Sequence, residues 1–202
     1  MKIDFEQRKL ISAQTKFMDD NALQRGIQIK DMMAKAGQGI ADLITSAYGS
    51  GKKIAFVCGS GNNGGDGMLA ALILAVNNDV HLYLLDDNSV FMSFITGNNW
   101  NYDSSKLSLT ENATADSIKG DYDLVIEGIV GSGLKGDLSE EKKNIIDKLN
   151  KMPTTRIAID IPAPDFDADE IYCLGFAKIP GAKVIDIGVP DDIIASAKEL
   201  KI

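Results

Sequence analysis

Short apolar runs alternate with longer amphipathic segments along most of this chain. Apolar positions recur at helical spacing over residues 29–48, and Gly49 follows as a stop. An earlier helix is predicted over residues 13–24, with Ser12 as its N-cap and Gly26 at its end. Further helices are predicted over residues 68–75 and 139–149. The apolar runs predict strands over residues 53–58, 80–85, 122–127, 156–160, 171–176 and 184–187.

This alternation predicts a three-layer α/β/α sandwich with a mostly parallel, Rossmann-like sheet. No internal repeat or long linker divides the chain, so residues 1–202 are interpreted as a single domain. Residues 88–120 have the weakest pattern. A short helix over residues 90–96, a loop over 98–103 containing Trp100, a strand near Leu107 and a helix starting near Thr114 are predicted there.

Composition narrows the classes of function. The net charge of -8 disfavours broad electrostatic binding to nucleic acid. Cys58 and Cys173 are the only cysteines, and they show no metal-ligand spacing, so neither a disulfide scaffold nor a zinc site is predicted. His81, the only histidine, is interpreted as structural because no partner is visible for it. Charged first residues and the lack of a membrane-length apolar run predict a cytoplasmic protein without a signal peptide or membrane anchor.

The most informative segment runs from Gly59 to Gly67, between a predicted strand and a predicted helix. In this context glycines allow the backbone to approach an anion closely, and the helix N-terminus supplies N–H groups and a partial positive charge. Asn62, Asn63 and Asp66 add side-chain donors and acceptors that a dinucleotide-binding turn does not need. The segment therefore predicts a phosphate or dinucleotide site with additional chemistry.

Polar residues also stand at the predicted carboxyl ends of other strands, where parallel sheets bind their ligands. Asp86 and Asp87 follow the second strand, either as a ribose-binding position or as a solvated strand end. Glu127 ends the third strand and is followed by a second glycine-rich loop over residues 131–136, while Asp160 ends the fourth. These groups are expected to converge on one cleft, and two glycine-rich loops suit a ligand with more than one phosphate.

Gly59 to Gly67 resembles the signature loop of the NAD(P)H-hydrate epimerases, the YjeF N-terminal domain family. The resemblance extends over residues 10–192, nearly the whole chain. Four further regions carry it: the opening helices (12–19 and 33–37), the second glycine loop (131–136), the active-site strand (157–162) and the closing strand (186–190).

The resemblance implies an isomerase that interconverts the R and S hydrates of NADH and NADPH (NADHX and NADPHX), a repair reaction for damaged cofactors. It implies that Asp160 is catalytic, moving protons and facing a cationic, iminium-like intermediate, and that no redox cofactor is required. A potassium ion is implied, with Asn63, Glu127 and Ala163 at its ligand positions. The implied substrate-binding residues are Asn62, Asn63, Gly64, Gly65, Asp66, Gly131, Ser132, Gly133, Leu134, Lys135, Gly136, Asp137 and Asp160.

Two positions depart from the family pattern, since Glu127 stands in place of aspartate and Ala163 in place of serine. They support an alternative hypothesis, an inactive member of the same fold that binds a nucleotide-like ligand, RNA or a protein partner. The retained asparagines and Asp160 favour the active epimerase. A third hypothesis, an NAD-dependent oxidoreductase, is disfavoured because the glycine turn carries the extra Asn-Asn-Gly-Gly-Asp run and no persuasive catalytic histidine is present.

The resemblance also implies protein partners. Many relatives carry a dehydratase domain in the same polypeptide, and none follows here, so a separate dehydratase acting in the same pathway is expected. A homodimer is expected from the family and from small and apolar residues on the second predicted helix, namely Met33, Ala36, Gly37 and Ile40.

Overall fold

The computed structural model describes residues 3–87 and 106–201 of the chain. Their elements are α1 (Phe5–Gln24), α2 (Ile29–Tyr48), β1 (Lys53–Cys58), α3 (Asn62–Leu74), β2 (Asp79–Leu84), β3 (Leu107–Thr110), β4 (Leu124–Gly128), α4 (Glu140–Asn150), β5 (Thr155–Ile159), β6 (Glu170–Leu174), β7 (Lys183–Ile185) and α5 (Asp191–Glu199). Among these described helices, none combines the length and apolar character that crossing a membrane requires. The helix predicted over residues 90–96 and the loop with Trp100 lie outside the described residues.

The described strands form one parallel sheet in the order β3-β2-β1-β4-β5-β6-β7. β2 and then β3 are added on one side of β1. β4 lies on the other side of β1, and β5, β6 and β7 follow it in order toward the second edge. The direction reverses between β1 and β4, and such a switch point is where ligands bind outside the carboxyl ends of the strands. Gly59 N donates to Gly128 O at 3.1 Å, so the two strand ends are tied together at this point.

Helices cover both faces of the sheet, which confirms the predicted three-layer sandwich. α1, α2, α3 and α5 pack on the face whose core contains Phe56, and α4 packs on the opposite face, whose core contains Val57. The buried residues of α4 are Ile145, Ile146 and Leu149, as predicted. Because successive side chains of a strand point to opposite faces and both faces are covered, the inner strands have continuous apolar sequences.

The predicted extents of α2 and β1 are confirmed, whereas α1 begins earlier than predicted. Its start is fixed by a capping box, in which Asp4 accepts from Gln7 N at 2.8 Å and the Gln7 side chain accepts from Asp4 N at 3.2 Å. Ser12, the predicted N-cap, therefore lies inside the helix. Gly26 follows the helix end with φ 85°, a left-handed conformation that suits glycine.

Most of the glycine-rich segment is helical rather than a loop, because α3 already begins at Asn62. A Cβ on Gly64 would lie 1.9 Å from Gly59 O, and one on Gly67 would lie 2.9 Å from Cys58 Sγ. These glycines let α3 pack closely against the end of β1. Their role within the described structure is therefore helix–strand packing, while the approach to a ligand falls to the residues around Asn62.

The later part of the chain differs from the prediction in three respects. Thr114 opens a turn, with its N–H donating to Ser117 Oγ at 3.0 Å, and no helix starts there. β7 ends at Ile185, so residues 186–190 leave the sheet. Helix α5, which follows them, was not predicted. The strand expected near Leu107 is confirmed as β3, at one edge of the sheet.

The residues of α2 that suggested a dimer interface belong to the core of the chain itself. Met33, Ala36 and Ile40 are at most 5% exposed. A Cβ on Gly37 would lie 2.7 Å from Leu69 Cβ, so this face of α2 packs directly on α3. The prediction that these residues form a dimer interface was therefore wrong. Apolar residues recur at the same helical spacing whether a sheet, another helix or a second subunit covers them.

Candidate active site

A cavity of about 680 Å³ opens beside the switch point of the sheet. Its lining comes from α1, α2, the segment joining β1 to α3, the loop after β4 and the residues that follow β5, β6 and β7. The predicted substrate-binding residues that line it are Asn62, Asn63, Asp66, Gly131, Ser132, Gly133, Leu134, Lys135 and Asp160. Four others, Gly64, Gly65, Gly136 and Asp137, are not in its lining.

Asp160 stands at the first position after β5 and is held in a left-handed conformation, with φ 65°. This conformation is uncommon outside glycine, asparagine and aspartate, and residues held in it cluster at functional sites. Two contacts fix the residue: Asp160 N donates to Tyr172 O at 2.7 Å, and Leu174 N donates to Asp160 Oδ1 at 3.3 Å. The carboxylate is thereby turned out of the sheet and into the cavity lining.

Asp160 is paired with Lys178, which follows β6. Lys178 Nζ donates to Asp160 Oδ1 and, at 3.0 Å, to Leu174 O, and the side chains of the lysine and the aspartate are 1% and 6% exposed. Lys178 also lies over the Phe176 ring, 5.1 Å from its centroid. Sequence reasoning missed this lysine because it lies in an irregular segment, where neither periodicity nor a glycine signature marks it.

Two further carboxyl groups, from Asp66 of α3 and Asp19 of α1, line the same cavity. Burial raises the pKa of Asp66 well above its ordinary value, with the charges of Asp160 and Asp19 adding to the effect and Lys178 opposing it. Burial likewise raises the pKa of Asp19 to about 6, with Lys178 opposing and Asp160 reinforcing the shift. Lys178 is thus the cation whose charge opposes the raised pKa of both Asp66 and Asp19.

Glu127 lies outside the cavity lining and connects two loops through hydrogen bonds. Its Oε1 accepts from Ile129 N at 2.7 Å and its Oε2 from Ala163 N at 3.0 Å, and the residue is 0% exposed. Burial raises the pKa of Glu127 to about 7, although the backbone donors and the charge of Arg8 oppose the shift. Through these bonds Glu127 joins the loop after β4 to the segment after β5, and neither Glu127 nor Ala163 lines the cavity.

The predicted potassium ligands meet at the same place, but they do not all present oxygen. Asn63 Nδ2 donates to Val130 O and Ile159 O, both at 3.1 Å. Only hydrogen bonding distinguishes the two ends of an amide, so a rotated Asn63 would present Oδ1 toward these carbonyl oxygens, and oxygen ligands are the ones that hard cations prefer. Ala163 instead turns its N–H toward Glu127, and its carbonyl accepts from Phe166 N at 3.1 Å. Asn63 and Glu127 therefore carry side-chain oxygens of the kind that suits a potassium ion, whereas Ala163 has no side-chain oxygen to offer.

The two aspartates after β2 occupy different positions. Asp86 Oδ2 accepts from both Ser60 N and Ser60 Oγ at 3.4 Å and pairs with Lys142 Nζ at 2.8 Å. Asp86 and Lys142 both line the cavity, whereas Asp87 is exposed and does not. Asp86 thus fixes the start of the segment between β1 and α3 and places a paired charge at the cavity edge.

His81 takes part in a polar aromatic cluster outside the cavity lining. Its ring stacks on Tyr83 with centroids 3.9 Å apart, and its Nε2 hydrogen-bonds Thr110 Oγ1 at 2.8 Å. Tyr122 OH is 3.3 Å from its Nδ1. Burial lowers the pKa of His81, so the neutral ring is favoured. These contacts account for the histidine as a structural residue.

An apolar surface completes the cavity. Leu23 and Ile29 are 40% and 47% exposed beside it, and Met32, Met33 and Ile187 extend this surface inward. Met32 and Met33 belong both to the core and to the cavity lining. Such a surface suits a planar organic ring, and residues 131–133 of the loop after β4 line the same cavity.

Fold and cavity together define a class: a doubly wound α/β protein whose ligand site lies at the switch point of its sheet. The chain belongs to the YjeF N-terminal domain family, since the family model described as YjeF-related protein N-terminus matches residues 29–173. The crystal structure of yeast ynu0 (YNL200c) has a similar fold, with a TM-score of 0.69 over 81% of this chain and 78% of that chain, at 18% identity.

Curated relatives agree with this assignment. The chain is 33% identical over 178 residues to the bifunctional NAD(P)H-hydrate repair enzyme Nnr of Methanospirillum hungatei. This match covers 86% of this chain but only 37% of that protein. It is 30% identical over 204 residues to the NAD(P)H-hydrate epimerase of Elusimicrobium minutum, covering 84% of this chain and 90% of that one. The chain thus matches nearly the whole of one relative and little more than a third of the other.

The raised carboxyl pKa values predict that the folded protein loses stability as pH rises. A buried carboxyl with a raised pKa binds a proton that the unfolded chain has released, so its stabilising effect is full below the ordinary carboxyl pKa. The effect disappears as pH passes about 6 for Asp19 and about 7 for Glu127. We expect the free energy of unfolding to be lower at about pH 8 than at about pH 5 by on the order of 3 kcal/mol.

Urea denaturation in potassium-free buffer across this pH range would measure the effect. Glu127→Gln serves as the comparison, because it removes the titration near neutral pH while keeping the side-chain shape. A urea midpoint that rises steadily between these two pH values would contradict the prediction.

Proposed function

We propose that this protein is an NAD(P)H-hydrate epimerase, which interconverts the R and S forms of NADHX and NADPHX. The observation that carries the proposal is the Asp160 carboxylate, held by Lys178 in the lining of the switch-point cavity. Support comes from the family and from relatives named NAD(P)H-hydrate epimerase. A binding protein has no need of a buried carboxylate fixed in an uncommon backbone conformation, whereas proton transfer does.

The cavity provides for the three parts of such a substrate. The N-terminal turn of α3 and the loop after β4 both present backbone N–H groups, which suit the phosphates of a dinucleotide. The apolar surface around Met32 suits a planar ring. We assign phosphate binding to Asn62 and to residues 131–135, and the reacting end of the substrate to Asp160.

Asp160 would serve the reaction in two ways. Epimerisation at the hydrated carbon requires loss and return of water through a cationic, iminium-like intermediate. A carboxylate can take or return a proton there, and its negative charge faces the developing positive charge. No electron transfer occurs in this sequence, so the protein needs no redox cofactor.

The decisive experiment is a chiral separation of the two NADPHX epimers, followed by incubation of each with the purified protein. We expect each pure epimer to return to the equilibrium mixture faster than it does without protein. The alternative function, an inactive binding protein, is favoured if the rate equals the spontaneous rate while the protein still binds NADP⁺, RNA or a protein partner. Glu127 stands where the family has aspartate, but this difference does not by itself favour the inactive binding protein. Both carboxylate oxygens of Glu127 accept backbone hydrogen bonds and so have a place in the fold.

The pathway partner is also a proposal. The bifunctional repair enzymes among the relatives are longer than this chain, which spans 37% of the Methanospirillum protein and 29% of that of Methanothermobacter thermautotrophicus. An epimerase supplies one epimer to an enzyme that removes water from it. We propose a dehydratase as that partner. A homodimer is proposed on the family resemblance alone, and light scattering would measure it.

We propose further that a potassium ion binds beside Asn63 and Glu127. When bound, it would supply a fixed positive charge beneath the loops that surround the substrate. A ligand that binds only the folded state at a hundred times its dissociation constant stabilises it by about 2.7 kcal/mol. We therefore expect the midpoint of thermal unfolding to be about 5 °C higher in potassium chloride than in choline chloride of equal ionic strength.

Asn63→Ala provides the control for the potassium measurement. It removes one proposed ligand, so its thermal midpoint should be the same in the two salts. Equal midpoints for the unmodified protein would rule out potassium binding at this site.

A further inference from the structure

Asp66 is a buried carboxyl group that the fold leaves without a hydrogen bond. The residue is 6% exposed and lines the cavity. Within residues 3–87 and 106–201, no donor bonds its carboxyl oxygens, whereas Asp160 accepts from both Lys178 and Leu174. A carboxyl group that lines a cavity and has no partner from the fold is open to a molecule bound in that cavity.

The surroundings of Asp66 favour the neutral acid over the carboxylate. The charged groups that face it are Asp160 from the end of β5, Asp19 from α1 and Lys178 from the segment after β6. Two acidic groups outnumber the one cation, and that cation is bonded to Asp160. A neutral carboxyl carries one O–H donor, and with no acceptor among the described residues this donor is available to a molecule in the cavity.

We propose that Asp66 is a second catalytic residue of this site, the proton donor that acts opposite the Asp160 base. The assignment rests on the proposed epimerase function and adds to it a division of labour between two carboxyl groups. Lys178 contacts Asp160 directly, while Asp66 has no such contact and lies where burial favours its neutral acid. Carboxyl groups whose environments separate their protonation states are the usual arrangement for paired acid and base catalysis.

The chemical step balances with these two groups alone. Asp66 gives its proton to the hydroxyl oxygen on the hydrated carbon, the C–O bond breaks, and water leaves. The lone pair of the ring nitrogen forms the C=N bond of the iminium ion. Water then adds to the opposite face of that carbon, the C=N electrons return to nitrogen, and Asp160 takes the proton lost by the attacking water.

The two carboxyl groups finally exchange roles. After one turnover Asp66 is ionised and Asp160 is protonated, which is the state needed to convert the opposite epimer. Transfer of one proton between them restores the first state. The pair therefore shares a single proton, and each state serves one direction of a reversible reaction.

The test is the epimerisation rate of Asp66→Asn as a function of pH. Asparagine keeps the size of the side chain but cannot donate an acidic proton, so we expect the rate to fall by at least about a hundredfold. The affinity for NADP⁺, measured by calorimetry, should change by less than about threefold, because the phosphates are bound elsewhere. The exposed Asp42 of α2 supplies the matched control, and Asp42→Asn should keep the unmodified rate.

A second measurement is the pH profile of the unmodified protein, whose outcome does not depend on Asp66→Asn folding. In the unmodified protein, the rate should decrease about tenfold per pH unit once Asp66 ionises. In Asp66→Asn this alkaline decrease should be absent. If Asp66 had only a structural role, Asp66→Asn would contain less folded protein, but its rate would still decrease at alkaline pH.

The outcomes separate the two proposals. If the unmodified protein is active and Asp66→Asn is equally active, or if the unmodified rate shows no alkaline decrease, the role of Asp66 is refuted and the epimerase function remains. If the unmodified protein does not accelerate epimerisation, both proposals fail together. A hundredfold loss accompanied by loss of the alkaline limb supports the assignment.

Discussion

Replacing Asp160 by asparagine should lower the epimerisation rate by about a hundredfold or more. Asparagine tolerates the left-handed backbone that Asp160 adopts, with φ 65°, so the main chain after β5 should keep its course. The change removes both the proton acceptor and the negative charge that faces the iminium-like intermediate. Affinity for NADP⁺ should change much less, because the N-terminal turn of α3 and the loop after β4 are assigned to the phosphates.

Rates on separated NADPHX epimers, together with circular dichroism of both proteins, would measure this effect. Asp167→Asn is the matched control, because Asp167 is an exposed aspartate on the same connection between β5 and β6 and undergoes the same change of charge. Its rate should equal that of the unmodified protein. An active protein whose Asp160→Asn variant is equally active would show that Asp160 is not the catalytic group, while leaving the fold assignment intact.

Replacing Lys178 by methionine should be the most destabilising single change in the site. Methionine fills a similar volume without charge, so the main loss is the partner of Asp160, and removing one member of a buried ion pair costs about 3–5 kcal/mol. The midpoint of thermal unfolding should therefore fall by on the order of 10 °C. Because Asp160 loses the cation that holds its carboxylate in place, activity at neutral pH should fall as well.

A double-mutant cycle distinguishes the ion pair from the packing of the lysine stem. If the unpaired charge is the cause, Lys178→Met combined with Asp160→Asn should be more stable than Lys178→Met alone. Lys183→Met is the control, because Lys183 forms an ion pair with Glu170 whose side chains are 43% and 28% exposed, and such pairs contribute about 1 kcal/mol or less. Strict additivity of the two buried changes would indicate that the pair carries no coupling.

The architecture could be predicted because it is encoded locally. A strand buried on both faces needs a continuous apolar run, and α2 repeats its apolar positions at helical spacing, so each element can be recognised from its own residues. The start of α1 was missed because a capping box near the beginning of the chain outweighed the weaker signal at Ser12. The start of α3 was missed because glycine is a poor helix former, and close packing on β1 overrides that preference.

The candidate site was predicted only where a signature motif marks it. The glycine-rich segment identified Asn62, Asn63 and Asp66, and the strand pattern identified Asp160, and all of these line one cavity. Glu127 was assigned to a cation by resemblance, but the structure also shows it bracing two backbone N–H groups. That second role depends on the approach of Ala163, which lies 36 residues further along the chain.

The sequence by itself determined the parallel sandwich, the glycine-rich segment between a strand and a helix, and Asp160 at a strand end, because each depends on the spacing of neighbouring residues. Only the tertiary structure decided that Lys178 pairs with Asp160, that Asp19 joins the acidic cluster and that Asp66 remains without a hydrogen bond. These features depend on which segments the sheet order brings to one edge. Burial and the balance of charge there set the protonation of each group, and neither quantity can be read from any one segment of the chain.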